Sequence, residues 1–213
     1  MHCPLCRVGV GTNYCKDRQR YYWQCPHCTL VFVDKQFYLS EVAEKQLYDL
    51  HENSLDDPGY LKFLSRTYQP LLHQLKKPSI GLDFGCGPVP ALAHVLTQHG
   101  HHVHCYDHFY AQDNNVWQHQ YDFICTTEVV EHLQQPGEIL HRLWSHLKVG
   151  GVLAIMTKLV INQTAFSQWH YKNDLSHICF FSETTFQWLA DTWQASWQRV
   201  DKDVIFFWKN NVQ

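Results

Sequence analysis

The segment Ser79-Ile-Gly-Leu-Asp-Phe-Gly-Cys-Gly-Pro-Val-Pro90 predicts the fold of this chain. Ile80 to Phe84 has the composition of a buried strand, and Gly85 and Gly87 after it let the backbone turn with positive φ before a helix begins. A second apolar run, Val103-His-Cys-Tyr-Asp107, then ends in a carboxylate. A glycine turn followed by an acid at the next strand tip is how a doubly wound sheet holds a ribose. The segment therefore predicts an α/β fold with a nucleoside site.

The missing pieces of this segment narrow the choice of nucleoside. A dinucleotide fingerprint needs a third glycine three residues after the second. That position is Pro90, which has no backbone N–H to offer a pyrophosphate. The sequence also lacks the Gly-x-x-x-x-Gly-Lys-Ser/Thr loop of ATPases. A nucleoside without phosphates remains, and S-adenosylmethionine is the candidate, although a glycine turn by itself is often only a tight turn.

Later motifs extend the pattern in a fixed order. Tyr121 to Leu133 (YDFICTTEVVEHL) predicts a strand and a helix start, and Pro136 to Lys148 predicts an amphipathic helix. Gly150-Gly151 then precedes a strand over Val152 to Thr157. With the glycine turn and Asp107, these motifs resemble the class I S-adenosylmethionine-dependent methyltransferases over residues 60 to 208. The resemblance implies a Rossmann-like methyltransferase sheet.

The resemblance also implies the residues of a cofactor site. Gly85 to Gly87 would lie under S-adenosylmethionine, Asp107 would bind the ribose hydroxyls, and Glu128 would hold the methionine amino group or a water. The full set implied for cofactor binding is Asp83, Gly85, Cys86, Gly87, Asp107, His108, Phe109, Thr127 and Glu128.

The chain departs from the family plan after Asp107. Thirteen residues separate it from Tyr121, where a helix, a strand and a second helix need about thirty. We therefore expect the third strand to be very short or absent, reduced to residues 115–118. Phe109 or Tyr110 is expected to stack on the adenine, because stacking needs only a flat face near Asp107.

The composition agrees with one catalytic domain and a small attachment. The chain has 213 residues, 45% of them apolar, which is enough to bury a full core. No apolar run reaches the ~18 residues of a membrane span, and the start has no signal-peptide pattern. The net charge of −3 provides no general surface for polyanions. Nine cysteines without a secretory signal favour a reducing, cytoplasmic location and a metal rather than disulfides.

The metal candidate lies at the N-terminus. Cys3-Pro-Leu-Cys6 and Cys25-Pro-His-Cys28 are C-x-x-C motifs eighteen residues apart, within the spacing typical of zinc sites. Strand-forming residues lie between and after them, at 21–24 and 30–33, so the region resembles a zinc ribbon. Four thiolates leave no place for a water or substrate, which predicts a structural zinc. Free or redox-active cysteines are the alternative.

A ribbon of this kind raises the possibility of nucleic-acid binding. Residues 1–40 carry five Lys/Arg against two Asp, a local charge of +3, while the remainder carries −6. Basic and aromatic residues alternate as on a single-strand-binding surface. These residues are Lys16, Arg18, Arg20, Tyr21, Tyr22 and Trp23. The alternative is that the aromatics form the ribbon's core and the charges its solvated edge.

These patterns divide the chain into three parts. The predicted parts are a zinc ribbon (1–36), a helical connector (37–57) and the methyltransferase domain (58–213). Within the last part, residues 60–76 have helical spacing and would help to cover the cofactor, with Tyr48 and His51 as candidates to line the site. Residues 195–200 and 204–208 predict a closing C-terminal antiparallel hairpin.

The segment from Trp169 to Ser182 (WHYKNDLSHICFFS) is dense in aromatic and titratable groups. It resembles an element of zinc-ribbon-bearing bacterial methyltransferases whose substrate is unassigned. A loop here would lie over the carboxyl ends of the strands, where ligands bind in open sheets. Tyr171, Asp174 and His177 are therefore predicted to bind the methyl acceptor, and His177 and His132 are the candidate bases.

Two functions fit the sequence. The favoured one is methyl transfer from S-adenosylmethionine to a small-molecule or sugar-like acceptor, with the ribbon as a structural or docking attachment. The alternative is an RNA-directed methyltransferase, or a nucleic-acid-binding module, that uses the ribbon. In either case the cofactor carries an activated methyl, so the protein mainly has to align the reacting atoms and exclude water.

Overall fold

The computed structural model describes residues 1–50, 54–76 and 78–211. The chain forms two compact units that alternate along the sequence. The cysteine unit comprises Met1–Leu50, Val130–His141 and Thr157–Trp193, and the parallel-sheet unit comprises His51–Val129, Arg142–Met156 and Gln194–Gln213. Among the described residues, no helix has both the length and the apolar character needed to cross a membrane.

The regular elements are named in chain order. The strands are β1 (Thr12–Lys16), β2 (Tyr21–Gln24), β3 (Val31–Val33), β4 (Ile80–Phe84), β5 (His102–Tyr106), β6 (Tyr121–Thr127), β7 (Leu147–Met156), β8 (Cys179–Phe180), β9 (Ser196–Asp201) and β10 (Val204–Trp208). The α-helices are α1 (Glu41–Tyr48), α2 (Pro58–Leu72), α3 (Ala91–Gln98), α4 (Pro136–Ser145), α5 (Gln163–Ser167) and α6 (Glu183–Trp193).

The parallel-sheet unit contains a six-stranded sheet in the order β5-β4-β6-β7-β10-β9. The strands from β5 to β7 pair in parallel, and β10 joins antiparallel to β7 and to β9. The expected Rossmann-like α/β sheet with a C-terminal antiparallel hairpin is therefore present. The strand predicted from Ile80 to Phe84 is β4 itself.

The core of this unit follows from the two periodicities of its sequence. Every second residue of the inner strands points to one face, and residues three or four apart on the helices point back at it. The core cluster is Leu64, Leu71, Ala91, Leu92, Leu96, Phe123, Cys125, Val152, Ala154, Met156, Val204 and Phe206. Each fully buried Leu, Phe, Val or Met side chain contributes about 1.5–3 kcal/mol, so this layer of helices on sheet is the main source of the unit's stability.

The segment between Asp107 and Tyr121 holds no strand, as its length predicted. A single 3-10 turn, Asn114–Gln118, replaces the missing elements. Its Trp117 ring packs against Phe84 and Tyr106, with centroid distances of 6.1 and 5.3 Å. The contact covers the sheet where a third helix and strand would otherwise lie.

The prediction for Gly150 and Gly151 needs correction. They do not precede the strand but lie inside β7, which runs from Leu147 to Met156. The register of β7 against β6 shifts there, and Gly150 has a φ of +78°. The glycines therefore produce an irregularity within one strand, because only glycine adopts that backbone conformation without strain.

The cysteine unit is built on an antiparallel sheet in the order β1-β2-β3-β8. Strand β8 comes from the segment that was expected to be a loop over the larger sheet. It pairs with β3 through Val31 opposite Phe180 and Phe32 opposite Cys179. The side chains of β3 are almost fully buried, so its backbone groups need a partner on each side, and β8 supplies one of them.

Arg20 connects this sheet to the segment before β8. Its side chain is 2% exposed, and its five N–H donors have five contacts. Nε donates to the Tyr22 hydroxyl at 3.2 Å, and the two terminal nitrogens donate to backbone carbonyls. These carbonyls belong to Lys172, Asp174, Leu175 and His177, the last three at 3.0 Å. Arg20 therefore holds the 172–177 segment in one conformation.

Arg20 and Tyr22 are not surface residues, which corrects part of the expected nucleic-acid surface. Tyr22 is fully buried, and its hydroxyl donates to Asp17 Oδ2 at 2.7 Å. Burial opposes ionisation of Asp17, but hydrogen bonds from the Arg20 and Gln19 amides and from the side chains of Lys172 and Tyr22 outweigh it and hold the pKa of Asp17 well below its usual range. Lys16 and Arg18 are exposed, as expected.

Replacing Arg20 should destabilise the cysteine unit. Arg20→Ala leaves four carbonyls without their donor, and we expect it to lower the free energy of unfolding by at least about 3 kcal/mol. Arg18→Ala, at an exposed position two residues away, should change it by less than about 0.5 kcal/mol. Urea unfolding of both variants measures the difference. Equal stabilities for the two would contradict the role given to Arg20.

Candidate functional site

The glycine turn after β4 has the shape expected for close approach of a ligand. Gly85 and Gly87 have φ values of +78° and +66°. A Cβ added to Gly85 would lie 2.3 Å from Val129 Cγ2, so that position requires glycine for packing. A Cβ added to Gly87 would meet no described atom within 4 Å. Gly87 therefore faces open space, where a ligand can approach the backbone.

Asp107, at the end of β5, holds this turn in place. Its Oδ2 accepts from Gly87 N at 3.0 Å, and its Oδ1 accepts from Phe109 N at 2.8 Å and Tyr110 N at 3.1 Å. A carboxylate offers about four acceptor positions, and these amides occupy three. Asp107 therefore holds the turn in place through these bonds, and about one acceptor position remains for a hydrogen-bond donor of a ligand. The sequence predicted the residue but not this structural role.

Asp83 is the most perturbed carboxyl group of this region. Burial raises its pKa to about 7, opposed by a hydrogen bond from Ala93 N and reinforced by the charge of Asp107. Its Oδ2 accepts from Ala93 N at 3.3 Å. Within the described part of the chain, its Oδ1 has no hydrogen-bond partner. A buried oxygen of this kind suits a cationic or donating ligand group.

The remaining predicted cofactor residues lie on the same strands or directly after them. Thr127 ends β6, and Glu128 follows with a φ of 53°, a conformation that is strained for a residue with a side chain. His108 is exposed, with its ring 4.8 Å from that of Phe109. A thiol hydrogen bond with Cys105, together with burial, raises the pKa of Cys86. Neighbouring strands β4, β5 and β6 thus place the whole predicted set at their carboxyl ends.

The four predicted metal ligands form a compact cluster in the cysteine unit. Cys3 Sγ lies 3.5 Å from Cys28 Sγ, and Cys6 Sγ lies 3.5 Å from Cys25 Sγ. All four sulfur atoms lie within 4.8 Å of one another. Sulfurs around one tetrahedral zinc, each bonded at about 2.3 Å, lie about 3.8 Å apart. The cluster therefore fits a single zinc ion.

The two C-x-x-C motifs have matching backbone conformations. Arg7 N donates to Cys3 O and Thr29 N donates to Cys25 O, both at 3.0 Å, and Arg7 and Thr29 have φ values near +60°. A Cβ at Gly9 would lie 2.3 Å from Cys25 Sγ, so glycine is required beside the cluster.

The electrostatics of the cluster favour a cation. A hydrogen bond with Cys28 lowers the pKa of Cys3 to about 5, against the effect of burial. Cys3 is therefore the thiol that ionises most readily. Further thiolates this close would repel one another unless a cation lay between them.

The predicted acceptor residues also come together, within the cysteine unit. His177 is 7% exposed, and its Nδ1 lies 2.7 Å from Tyr171 O. Burial lowers its pKa, opposed by the charge of Asp174, whose Oδ2 lies 3.7 Å from His177 Nε2. The ring of His132 lies 4.6 Å from that of His177 and 5.2 Å from that of Tyr48. His51, the other candidate from the connector, lies outside the described residues.

Glu131 belongs to this group and was not singled out from the sequence. It is fully buried, and its Oε1 accepts a short hydrogen bond from the Tyr171 hydroxyl. A buried carboxylate next to His132 in the sequence, inside the motif Glu-Val-Val-Glu-His, was the available signal. The sequence shows an acid beside His132, but it does not show that this acid is buried, and Glu131 was missed for that reason.

Comparison with known proteins identifies the family. Residues 59–194 match a family model described as "Methyltransferase domain", which covers more than half of the chain. The chain belongs to this family. It is therefore a methyltransferase, as the resemblance implied. No protein with a curated description matches it in sequence.

Solved structures show the same fold at low sequence identity. Magnesium protoporphyrin IX methyltransferase from Synechocystis PCC 6803, with bound SAH, matches with a TM-score of 0.55 and 14% identity, over 82% of this chain and 96% of that one. A second match is 1,6-didemethyltoxoflavin-N1-methyltransferase from Burkholderia thailandensis, with bound 1,6-didemethyltoxoflavin and S-adenosylhomocysteine. Its TM-score is 0.51 and its identity 16%, over 93% of this chain and 99% of that one. Human N-acetylserotonin methyltransferase in complex with SAM matches with a TM-score of 0.52 and 15% identity, over 81% of this chain and 57% of that one.

The raised pKa of Asp83 predicts a pH dependence of stability. An unfolded aspartate has a pKa of about 3.9. Between that value and the folded pKa of about 7, the folded protein binds more protons at Asp83, so its stability falls as the pH rises through this window. Asp83→Asn cannot ionise and should remove this fall. The variant should therefore gain stability relative to wild type between pH 5 and pH 8, measured by urea unfolding without ligand.

Asp191→Asn serves as the control, because Asp191 is an exposed aspartate on α6. We expect it to leave the pH profile unchanged. If Asp83→Asn has the same dependence of stability on pH as wild type, Asp83 ionises normally in the folded protein.

Proposed function

We propose that this methyltransferase transfers the methyl group of S-adenosylmethionine to a small-molecule or sugar-like acceptor. Its membership of the methyltransferase-domain family, with a glycine turn held open by Asp107, is the observation on which the proposal rests. The cofactor supplies an activated methyl on a sulfonium. The chain's own residues bind and orient the reactants and exclude water.

Each predicted cofactor residue has a role that its geometry suits. The backbone at Gly87 approaches the nucleoside, and the remaining acceptor position of Asp107 takes one ribose hydroxyl. Glu128, directly after β6, holds the methionine amino group or a water, and the buried carboxyl of Asp83 suits a further donating group of the cofactor. Phe109 or Tyr110 stacks on the adenine, because Asp107 fixes the backbone amides of both residues.

We also propose that Tyr171, Asp174 and His177, with His132 beside them, bind the methyl acceptor. Since Nδ1 of His177 contacts a backbone carbonyl, Nε2 is the ring nitrogen left to act on an acceptor, either directly as a base or through an ion bound to it. A small acceptor is supported by the two neighbours of the same fold that are named as methyltransferases of magnesium protoporphyrin IX and of 1,6-didemethyltoxoflavin.

The RNA-directed alternative loses much of its support from the position of Arg20 and Tyr22. Of the six residues proposed for that surface, Arg20 and Tyr22 are buried inside the cysteine unit. Lys16, Arg18 and Tyr21 are exposed, and the Lys16 ammonium lies 4.7 Å from the centre of the Tyr21 ring. Three side chains of this kind form a small contact surface for a polyanion.

We further propose that Cys3, Cys6, Cys25 and Cys28 bind a structural zinc, which makes residues 1–36 a zinc ribbon. Four thiolate ligands close the tetrahedron, so this ion has no catalytic position. The connector 37–57 and the methyltransferase domain 58–213 complete the proposed organisation, in which residues 157–193 fold with the ribbon in the cysteine unit.

The zinc proposal predicts one zinc per chain by elemental analysis of protein purified without chelator. The double variant Cys25→Ser with Cys28→Ser should lose it and melt at a lower temperature, since the free energy of metal binding adds to that of folding. Cys15→Ser, at a cysteine outside the cluster, should keep the ion. Protein without zinc, or a double variant with full zinc content, would overturn the proposal.

The cofactor proposal is tested by a matched pair of glycines. Gly87 and Gly150 both have positive φ, and an added Cβ at either would meet no described atom within 4 Å. Ala at either position costs about 1 kcal/mol of backbone strain. Only Gly87→Ala places a methyl group where the cofactor would bind, so it should weaken S-adenosylmethionine binding by at least about tenfold. Calorimetry on both variants measures this.

Equal affinities for Gly87→Ala, Gly150→Ala and wild type would reject the cofactor position. The same proteins, incubated with methyl-labelled S-adenosylmethionine and fractions of a cell extract, address the acceptor. Label is expected in the small-molecule fraction, and mass spectrometry of the product identifies the methylated atom. Label confined to RNA would reject the proposed acceptor class and leave the cofactor assignment intact.

A further inference from the structure

Glu131, His132 and His177 form a second cluster of potential metal ligands, separate from the four cysteines. One ligand atom from each lies within 4.8 Å of the other two. Glu131 and His177 are buried, and His132 is half-buried. All three belong to the cysteine unit, within Val130–His141 and Thr157–Trp193.

Backbone carbonyls orient both imidazoles. His177 Nδ1 lies 2.7 Å from Tyr171 O, and His132 Nδ1 lies 3.2 Å from Ser176 O. A carbonyl only accepts hydrogen bonds, so each Nδ1 carries a proton, and in the neutral form of either ring the lone pair is on Nε2. Metal-binding histidines are held in this way, with the outer nitrogen donating to a carbonyl or carboxylate.

The third ligand is also oriented by its neighbours. Tyr171 donates a short hydrogen bond to Glu131 Oε1, and its hydroxyl lies 3.4 Å from Thr157 Oγ1. Ile178 N donates to Glu131 O at 2.8 Å, which ties the segment just before β8, where His177 lies, to the turn that carries Glu131. The Arg20 contact with His177 O fixes the same backbone from the other side.

We propose that Glu131, His132 and His177 bind one divalent transition-metal ion through a carboxylate oxygen and the two Nε2 atoms. Two imidazoles and a carboxylate are a ligand set for Fe²⁺, Mn²⁺ or Zn²⁺, whereas the four thiolates select zinc. With metal bonds of about 2.1 Å, the carboxylate oxygen and the two Nε2 atoms would lie closer to one another than 4.8 Å, so metal binding would require side-chain rotation. Three protein ligands leave coordination positions open, unlike the closed cysteine site.

Asp174 adds negative charge next to the cluster. Its Oδ2 lies 3.7 Å from His177 Nε2, beyond hydrogen-bond distance, and an Nε2 that holds a lone pair has no proton to donate to it. Its other oxygen accepts from Ser176 N at 2.9 Å and Ser176 Oγ at 2.6 Å. The carboxylate is therefore fixed where its charge favours a cation.

The open positions give the ion a use that rests on the proposed function. An oxygen of the methyl acceptor bound to the metal would have a lowered pKa, so a hydroxyl would become a better nucleophile at neutral pH. The acceptor class would then be one with a hydroxyl or phenol able to bind a metal. Binding of the ion itself does not depend on this role.

Manganese is the probe, because thiolates bind Mn²⁺ poorly and nitrogen and oxygen ligands accept it. Full-length protein with its cysteine site loaded with zinc is titrated with Mn²⁺, and free Mn²⁺ is followed by electron paramagnetic resonance. We expect one Mn²⁺ per chain in wild type. Glu131→Gln and His132→Gln should each weaken binding by more than about 100-fold, since each removes a ligand.

His170→Ala is the matched control, because His170 is an exposed histidine of the same segment and lies outside the cluster. It should bind Mn²⁺ as wild type does. Tyr171→Phe keeps all three ligands and removes the hydrogen bond to Glu131 together with the 3.4 Å contact to Thr157, so it should weaken binding by about 10–100-fold.

Retention of the cysteine-bound zinc reports whether each variant is folded. If Glu131→Gln loses both metals, that variant is unfolded. The test then rests on His132→Gln, which is less disruptive because the side chain of His132 is less buried. Wild-type protein that binds no Mn²⁺, or folded ligand variants that bind it as tightly as wild type, would overturn the metal site and show a purely hydrogen-bonded cluster. Calorimetry with S-adenosylmethionine on the same samples tests the proposed function separately.

Discussion

The buried guanidinium of Arg20 is the interaction on which the cysteine unit depends most. A charge that is removed from water must be compensated, and here Tyr22 and four backbone carbonyls compensate it. The same bonds satisfy carbonyls of the 172–177 segment that would otherwise be buried without donors. Folding of the N-terminal sheet and positioning of His177 are therefore one event, although the residues lie more than 150 positions apart in the chain.

The parallel-sheet unit uses a carboxylate for the corresponding task. Asp107 accepts three backbone amides and so fixes the glycine turn before any ligand arrives. Preorganisation of this kind lowers the conformational entropy lost on binding. In this unit the expected ribose acid also acts as the residue that shapes the loop, and the strained φ of Glu128 lies at the end of the neighbouring strand.

The two cysteine motifs and the Glu131 cluster are the two proposed metal sites, and they are built in opposite ways. The four sulfurs lie close to one another on matching backbone turns, which suits a closed structural ion. The three residues Glu131, His132 and His177 are instead aligned by carbonyls and a tyrosine hydroxyl, and leave coordination positions open. One unit of the protein thus offers both a site suited to stability and a site suited to exchangeable ligands.

The sequence by itself determined the features that depend on local patterns. The strand Ile80–Phe84, the glycine turn, Asp107 and the C-x-x-C spacing are all readable because their residues are neighbours along the chain or lie at fixed offsets. The tertiary structure decided the burial of Arg20, the pairing of Cys179–Phe180 with Val31–Val33, and the meeting of Glu131 with His177. These features join residues 46 to 157 positions apart. Composition and periodicity report which face of an element is buried, but the partner of a buried charge or an unpaired strand is set by the folded chain as a whole.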